Sequence, residues 1–488
     1  MICKKLYIRL LLVSFLILFL QISINSSGRI EEIISREISQ ENLHSIIKGL
    51  CMIGPRQGGT PSGDSASIYL NNKFKQYGIS SGIITDPPKL CHIDHNWNLR
   101  VVSPEEYDFT YDWVYQFSPS AKKTKVELIY ISDIEKVRKE KPDLTGKGVL
   151  IDEELVSGRR SYYELLSSIG AKVILTDYPN VPAKFLRGAP IGNLQKIDKE
   201  NIPVFSISYL EGEYLKKFLE KGERVEIEFS ADIEIKMGSP KTVIGEIEGR
   251  DKEKYYILIA HGDSDGGGPG ADDNASGVAV VLEIARIFQK FIKEGILPKP
   301  NYSIKFIIPG SEIYSTKEYI RRNKDSLGNI LGVINFDQCA AGAKRDCIYM
   351  EPNDAPVNEE ILRIFEKVAS DYSGIDGYWV EWTTNPGFGG TDNYAFLQTR
   401  YHGSMSNPSF SIPAIVLFSC AYGEPTYVEQ IEGWESPDWK GGRKIEIDFA
   451  EYYHSSGDTP ENTIEKEPYN VVRIAKLTAI ALYRMQFK

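Results

Sequence analysis

Two short motifs carry residue types that are suited to metal chemistry. In the stretch from Lys254 to Phe288, His261 ends an apolar run, Asp263 follows it, and the pair Asp272 and Asp273 precedes a helical pattern. Neutral imidazole and carboxylate are the ligands found in zinc sites that do chemistry. The apolar run predicts a strand, and open α/β sheets place their sites at the carboxyl ends of strands. The stretch therefore predicts part of a metal centre.

Further candidates follow apolar runs or mark turns elsewhere in the chain: Glu312 after SIKFIIPGS, Asp337 after ILGVINF, and His454 and Asp458 in YYHSSGDTPEN. Each is weak alone, because an aspartate after a strand is usually a turn or capping residue. Together they supply two imidazoles and at least three carboxylates from separate strand ends, and the chain has only six histidines. This pattern favours a metal pair bridged by one carboxylate.

The elements that must position these residues begin at residue 238, where apolar strands alternate with helices. Such alternation predicts an α/β fold with a mostly parallel sheet covered by helices on both faces. Strands are predicted at TVIGEIEG, KYYILIAH, SIKFIIPG, NILGVINFD and IPAIVLFS, and helices at 275–293, TKEYIRRNKDSL, NEEILRIFEKVASDY and NVVRIAKLTAIALYRMQF.

Residues 28–80 read as helices, with Ser39 near an N-terminal boundary and Gly78 as a C-cap. Residues 81–135 are mixed and carry no strong motif. His92 and His95 form an HxxH pair, which we interpret as surface histidines in a loop because nothing near them predicts a helix. We assign 28–135 to an N-terminal segment that packs on the catalytic domain, 238–488.

Residues 136–237 form a predicted insertion. GKGVLID, GAKVILTD and IPVFSIS followed by EGEYLKKFL resemble the protease-associated domain that is inserted in many secreted peptidases. The resemblance implies a β-rich α/β module that acts as a lid or substrate-access element and supplies no catalytic group. A structural insertion without a role in binding is the alternative.

The N-terminal residues 1–27 predict export. Lys4 and Lys5 precede a long hydrophobic run, which indicates either a cleaved signal peptide or a retained membrane anchor and an extracytoplasmic location. The net charge of −10 argues against nucleic-acid binding. Six cysteines show no CxxC pattern, so a thiolate zinc site is not expected, whereas Cys339 and Cys347 are either bridged or free buried thiols. Oligomeric state is not predicted.

Three stretches carry a wider resemblance. HGDSDGGGPGADDNASGVAVVLEIAR, INFDQ and YYHSSGDTPEN, in this order, resemble the di-zinc exopeptidases that include secreted leucyl aminopeptidases and glutamate carboxypeptidase, with glutaminyl cyclases as relatives. GPRQGGTPSGDSASIYLNNKF and SIPAIVLFS are similar to the family's N-terminal segment and late core strand. The resemblance covers residues 40–80 and 240–488.

The resemblance implies a role for each matching residue. His261 and Asp337 would bind one zinc, His454 would bind the other, and Asp273 would bridge the two, so that Asp272 is structural. Asp263 would orient the ring of His261 through its second nitrogen. Two zinc ions per chain are therefore expected, and peptides are the expected substrate.

Glu312 is the departure from the family, which has two adjacent glutamates here, the first a general base and the second a zinc ligand. In one register Glu312 is the ligand and Ser311 replaces the base, which is the assignment we expect. In the other register Glu312 is the base and Ile313 replaces the ligand. In either register one of the family's two carboxylates is missing, which argues against full family activity.

GGTDNYAF, around Asp392, resembles a family segment that lines the substrate pocket, with Asn393 where the family has histidine. A glycine-rich loop that ends in a helix cap is the alternative. Four aromatic residues nearby are expected to wall an apolar pocket: Trp379, Trp382, Phe388 and Tyr394.

These observations predict an exported zinc aminopeptidase. Two alternatives stay open. One is a metal-binding, catalytically weak homologue that acts as a receptor or scaffold, and the other is aminoacyl transfer of the glutaminyl cyclase kind.

Overall fold

The structure is a computed structural model. It describes residues 28–487, apart from 110–111, 116, 152–159, 178–201, 265–267, 343–346, 385–389, 399–405, 408, 420–433, 436–443, 446–449, 451 and 455. The predicted signal or anchor, residues 1–27, lies outside the described residues. Among the residues described, no helix is both long enough and apolar enough to cross a membrane.

Residues 28–78 are mainly helical, as the sequence predicts. Residues 28–37 are helical, and α1 (Gln40–Cys51) and α2 (Pro61–Tyr77) follow. The Ser39 side chain accepts the N–H of Asn42 and caps α1. Gly78 ends α2 with a φ of 73°, a left-handed conformation that glycine adopts without a steric penalty. Both predicted boundaries are confirmed.

The main sheet has eight strands and holds the predicted strands of residues 238–418. Its order across the sheet is β1-β10-β12-β11-β13-β16-β14-β15. The bounds are β1 (Ser80–Thr85), β10 (Lys241–Ile247), β11 (Asp251–Ile259), β12 (Tyr302–Ile308), β13 (Ile330–Phe336), β14 (Cys347–Glu351), β15 (Glu381–Thr384) and β16 (Ala414–Phe418). The central strands β12, β11, β13 and β16 are parallel, and antiparallel pairing occurs towards the edges.

Apolar strands make the centre of this sheet hydrophobic on both faces. Every residue of β13 except Leu331 is buried, as are Tyr255 and residues 257–259 of β11, because helices and loops cover each face there. The surrounding helices are α6 (Gly277–Lys293), α7 (Tyr314–Arg322), α8 (Glu359–Tyr372) and α9 (Asn470–Gln486). Short 3-10 helices lie at Lys324–Asn329, Pro356–Asn358 and Asp392–Phe396. The predicted α/β class is confirmed.

A second sheet forms between Lys89 and Gly238. Its order is β3-β2-β9-β5-β6-β7-β8-β4. The bounds are β2 (Lys89–Ser103), β3 (Tyr107–Asp108), β4 (Asp112–Val114), β5 (Ala121–Ile131), β6 (Lys147–Ile151), β7 (Val173–Asp177), β8 (Val204–Ile207) and β9 (Val225–Gly238). Its helices are α3 (Ile134–Glu140), α4 (Arg160–Ser168) and α5 (Tyr209–Leu219). The identification of this unit as a protease-associated domain stays a prediction.

The second sheet takes strands from 89–135, which the sequence analysis placed in the N-terminal segment. The long pair β2 and β9 runs antiparallel from Lys89 opposite Gly238 to Ser103 opposite Glu226. Its own hydrophobic cluster lies around Leu128, Phe205 and Ile227, apart from the main core. His92 is a correction, because it is a buried residue within β2 and not a surface loop residue. A short two-stranded pair, β17 (Trp434–Glu435) and β18 (Lys444–Ile445), completes the strands that the structure describes.

Two of the aromatic residues expected to wall a pocket belong to the core. Trp379 is fully buried, donates its indole N–H to Ala369 O and packs in the main cluster. Tyr394 is fully buried in a different cluster. Phe388 lies outside the described residues. Cys339 is a free thiol, so the possible bridge to Cys347 is not formed.

Candidate metal centre

His261 lies two residues beyond β11, at the carboxyl edge of the main sheet. Its side chain is buried, and its Nδ1 lies 3.2 Å from both the carbonyl oxygen and Oδ1 of Asp263. Because both oxygens of Asp263 act as acceptors, the neutral imidazole carries its proton on Nδ1. The lone pair of Nε2 is then available on the opposite side of the ring.

Asp273 lies between two imidazoles. Its Oδ1 is 3.3 Å from Nε2 of His261, and its Oδ2 is 3.1 Å from Nε2 of His454. Asp337, which follows β13, places Oδ2 3.6 Å from the same nitrogen of His261. The structure therefore brings together residues from three separate parts of the sequence. One carboxylate faces both rings.

The donor set suits a zinc ion. Ligand atoms of His261, Asp273 and Asp337 all lie within 4.8 Å of one another. Within the part of the chain that the structure describes, Nε2 of His261 and Oδ1 of Asp337 are buried without a hydrogen-bond partner. Buried polar atoms are normally satisfied, and an imidazole with two carboxylates is a donor set that zinc accepts. The residues present therefore fit the metal that the sequence predicts.

A second layer of carboxylates holds the loop of Asp273. Asp458 accepts the backbone N–H of Asp272 at 2.7 Å with Oδ1 and that of Asp273 at 2.9 Å with Oδ2. Asp272 Oδ1 in turn accepts the backbone N–H groups of Ala340 and Ala341 at 2.8 and 2.9 Å. These contacts fix the backbone, and Asp272 lies outside the group of three.

Asn274 joins this loop to helix α6 and to β13. Its Oδ1 accepts the N–H of Gly277 at 3.0 Å, and its Nδ2 donates to Phe336 O at 2.8 Å. A side chain at Gly277 would place Cβ 2.5 Å from the same carbonyl oxygen, so only glycine allows the approach. Asn274 therefore accepts the N–H of the first residue of α6 and connects the loop of Asp273 to that helix.

Glu312 lies beside the group of three and is not a member of it. Its backbone N–H donates to Oδ1 of Asp263 at 3.0 Å, the oxygen that also faces His261. The next residue, Ile313, has a φ of 55°, which is strained for a β-branched side chain. Its N–H donates to Oδ1 of Asp392 at 2.8 Å. Two carboxylates thus hold consecutive amides of the turn.

The charges around the site shift its carboxyl groups in opposite directions. Burial raises the pKa of Glu312 well above its ordinary value, and the charges of Asp337 and Asp392 add to the effect. Burial also raises the pKa of Asp273, but contacts with His261 and His454 outweigh it and bring that pKa below its ordinary value. Burial raises the pKa of Asp272 to about 7. The site therefore favours an ionised Asp273 and a Glu312 that protonates readily.

Two residues of the site were not singled out by the sequence analysis. Arg56 is buried, and its guanidinium donates to the carbonyl oxygens of Gly262 and Gly270, both at 3.1 Å. Tyr453 stacks on His454 with ring centroids 3.7 Å apart, and burial followed by the charge of Asp273 raises its pKa. The GPR in the N-terminal stretch and the YYH motif were the only sequence signals for them.

Asp392 is the first residue of the 3-10 helix Asp392–Phe396, whose N-cap is Thr391, so its side chain does not cap its own helix. Its Oδ1 also accepts the hydroxyl of Thr316, in the first turn of α7, at 2.6 Å. Asn393 is fully buried, with both polar side-chain atoms unpaired among the described residues. Asp392 therefore acts on the turn of Glu312, and substrate contact by this segment stays a prediction.

Comparison with known proteins identifies a peptidase family and similar aminopeptidases. Residues 242–479 match the model of peptidase family M28. A probable leucine aminopeptidase 2 from Arthroderma benhamiae is 26% identical over 383 residues, which cover 76% of this chain and 69% of that protein.

Solved structures share the fold. A zinc aminopeptidase from Bacillus subtilis is 18% identical, with a TM-score of 0.60 over 92% of this chain and 96% of that one. A peptidase M28 precursor from Shewanella amazonensis is 16% identical, with a TM-score of 0.65 over 94% of this chain and 97% of that one.

Proposed function

The chain belongs to peptidase family M28, and from this premise we propose that it is an exported zinc aminopeptidase that removes N-terminal residues from peptides. The assignment to a metallopeptidase rests on the family, and the aminopeptidase activity rests on the relatives of that name. The observation that carries the proposal is Asp273, whose two oxygens face the imidazoles of His261 and His454.

We assign the metal ligands residue by residue. His261 and Asp337 would hold one zinc ion, His454 would hold a second, and Asp273 would bridge them. Zinc, when bound, supplies a Lewis acid that polarises the scissile carbonyl and acidifies a water molecule. The chain's own contribution is to orient His261, because Asp263 accepts a hydrogen bond from Nδ1 and so directs the lone pair of Nε2 towards the metal site.

We assign proton transfer to Glu312. Burial and the charges of Asp337 and Asp392 raise its pKa, although the charge of His261 opposes them, and a raised pKa suits a base that must hold a proton and release it. In this role Glu312 accepts a proton from the attacking water and donates it to the departing amine. This proposal takes the register in which Glu312 is the base in place of the register expected from the sequence, in which Glu312 is a zinc ligand, and the zinc content of a Glu312→Gln variant distinguishes the two.

The regions outside the site have supporting roles in the proposal. Residues 1–27 direct export, as a cleaved signal or as an anchor. We assign the unit within residues 136–237 to a protease-associated lid on the strength of its sequence resemblance, and among the described residues its sheet supplies no member of the candidate metal group.

Hydrolysis of leucine p-nitroanilide tests the proposal. Activity should be lost with a chelator, return with zinc and be absent from the Asp273→Asn variant. Chelator-resistant hydrolysis would contradict the metal mechanism. Binding of two zinc ions without turnover on a broad peptide panel would favour the catalytically weak homologue, and cyclisation of N-terminal glutamine would favour aminoacyl transfer.

A further inference from the structure

A cavity of about 430 Å³ lies between the second sheet and residues 53–62, which connect α1 to the first turn of α2. Its walls include Trp97 of β2, Trp113 of β4 and Gln57 from the loop before α2. Ser264 also lines it, directly after Asp263, whose carboxylate contacts His261. The volume falls in the range of small-ligand sites, about 300–1,000 Å³. The cavity is therefore large enough for a side chain, and one of its lining residues is the sequence neighbour of Asp263.

Two indole rings form an aromatic wall in this cavity. The ring centroids of Trp97 and Trp113 are 4.8 Å apart, and the ring planes are tilted by 42°. Each indole N–H is held by a carboxylate, that of Trp113 by Asp94 Oδ2 at 3.3 Å and that of Trp97 by Asp112. Because both N–H groups are engaged, the rings have fixed orientations.

The cavity also presents one buried carboxylate. Asp94 is the acidic residue among the lining residues, its side chain is 10% exposed, and no lysine or arginine of the described chain lines the cavity with it. His92, which also lines the cavity, is a neutral imidazole in this arrangement because its Nδ1 accepts a hydrogen bond. The Gln57 side-chain oxygen accepts the N–H of His92 at 2.8 Å, which leaves the amide nitrogen to donate to Nδ1 at 3.0 Å. The ring proton is then on Nε2, which faces Asp94 at 3.6 Å.

We propose that this cavity binds the basic side chain of a lysine or arginine residue in the peptide substrate. Aromatic rings attract an organic cation through their faces, and a nearby carboxylate adds a Coulombic attraction that a neutral side chain cannot use. A neutral aliphatic group would instead remove water from Asp94 without supplying a positive charge to offset the lost solvation. That the ligand is part of a peptide substrate rests on the proposed peptidase function. That the ligand is an organic cation rests on the residues of the cavity alone.

Calorimetry on the full-length zinc-loaded protein tests the cavity directly, with butylguanidinium as the probe and pentanol as the neutral control. We expect butylguanidinium to bind, and Asp94→Asn and Trp97→Leu each to weaken its binding about tenfold. Asp232→Asn, an exposed carboxylate on neighbouring β9, is the matched control and should leave binding unchanged. The Trp97 variant keeps the test valid if Asp94→Asn does not fold. Equal binding of the two probes, or no effect of either cavity variant, would overturn the proposal.

Peptide kinetics test the use of the cavity. Leu-Arg-Gly-Gly and Leu-Gly-Arg-Gly are each compared with the peptide in which norleucine replaces arginine. For at least one pair Asp94→Asn should lower kcat/KM about tenfold for the arginine peptide and should not lower it for the norleucine peptide. An unchanged ratio for both pairs would overturn the assignment to substrate. A protein that cleaves no peptide fails the proposed function, whereas the calorimetry still decides whether the cavity binds a cation.

Discussion

The carboxylate of Asp392 accepts the backbone N–H of Ile313 at 2.8 Å. Ile313 has a φ of 55°, a conformation that costs a non-glycine residue about 1–3 kcal/mol. Asp392 therefore stabilises a strained turn, and the residue before that turn is Glu312. The neighbouring amide, that of Glu312, is held by Asp263, which also contacts His261. The position of Glu312 and the orientation of His261 are thus coupled through Asp263.

Replacing Asp392 tests this positioning role. Asp392→Ala should lower kcat about 10–100-fold with little change in KM, because the turn of Glu312 loses its acceptor. Thr316→Val is the matched control, since it removes the hydroxyl that shares Asp392 Oδ1 and leaves the contact with Ile313 intact. Steady-state kinetics with zinc analysis measure both variants. Equal losses in the two variants, or a loss confined to KM, would contradict the assignment.

Glu312→Gln distinguishes the two roles of Glu312. If Glu312 transfers protons, the variant should keep its full zinc content while kcat falls about 10²–10⁴-fold. If Glu312 is a ligand, zinc content should fall with activity. Elemental analysis of the purified variant, paired with kinetics in excess zinc, separates these results. Full zinc and full activity would rule out both roles.

The proposed bridging role of Asp273 makes a prediction about zinc stoichiometry. Asp273→Asn should lose both zinc ions because the amide replaces a carboxylate shared by both sites, whereas His454→Ala should retain about one zinc per chain. Dialysis against metal-free buffer followed by elemental analysis measures this. Asp251→Asn, at the start of β11 and away from the site, is the control. Equal zinc content in the Asp273 and His454 variants would contradict a bridge.

The strands of the main sheet were predictable because their apolar runs are nearly continuous. Both faces of β13 and of the second half of β11 are covered, so these stretches are almost entirely apolar. The same logic located His261 and Asp337, because each directly follows such a run. His454 was found through its motif, since no strand precedes it among the described residues.

The second sheet was harder to predict, since β2 alternates irregularly between buried and exposed residues. Its HIDHNWN segment is polar, and the long pairing with β9 connects residues more than 120 positions apart. A strand of this kind is stabilised by its partner and not by a local pattern. His92 was consequently placed in a loop, although it lies in β2 and lines the cavity.

Asp112 predicts a pH dependence of stability in the second sheet. Burial, followed by the nearby charge of Glu211, raises the pKa of Asp112 to about 6 from 3.8, although a hydrogen bond from Trp97 opposes the shift. The folded state then binds more protons than the unfolded state between these values. Stability from this group is therefore present at low pH and is lost as pH rises towards about 6, by up to about 1.4 kcal/mol per pH unit.

The Asp112→Asn variant removes this titration. The stability of the native protein relative to the variant should fall between pH 4 and pH 6 and stay constant above about pH 7. Urea unfolding at a series of pH values measures the difference. A difference that rises with pH over this window would mean that Asp112 titrates below its ordinary pKa.

Arg56 could not be assigned from the sequence because its partners are main-chain carbonyls. Its guanidinium contacts Gly262, beside His261, and Gly270, which precedes the loop of Asp273. Its backbone N–H also donates to Ser264 Oγ at 3.0 Å. A main-chain acceptor has no characteristic side chain that could be recognised in the sequence. The two glycines are also more than 200 positions away from Arg56. Arg56 therefore connects the two loops that carry the proposed ligands.

Arg56→Met should destabilise the fold by roughly 3–5 kcal/mol, because several buried carbonyls lose their donor together. The two loops should also bind zinc more weakly, since their separation is no longer fixed. Urea unfolding and competition with a zinc indicator measure the two effects. Lys48→Met is the matched control: Lys48 forms a surface ion pair with Glu465, and its loss should leave zinc affinity unchanged. A zinc affinity in Arg56→Met equal to that of the control would limit Arg56 to fold stability and remove its role in spacing the two loops.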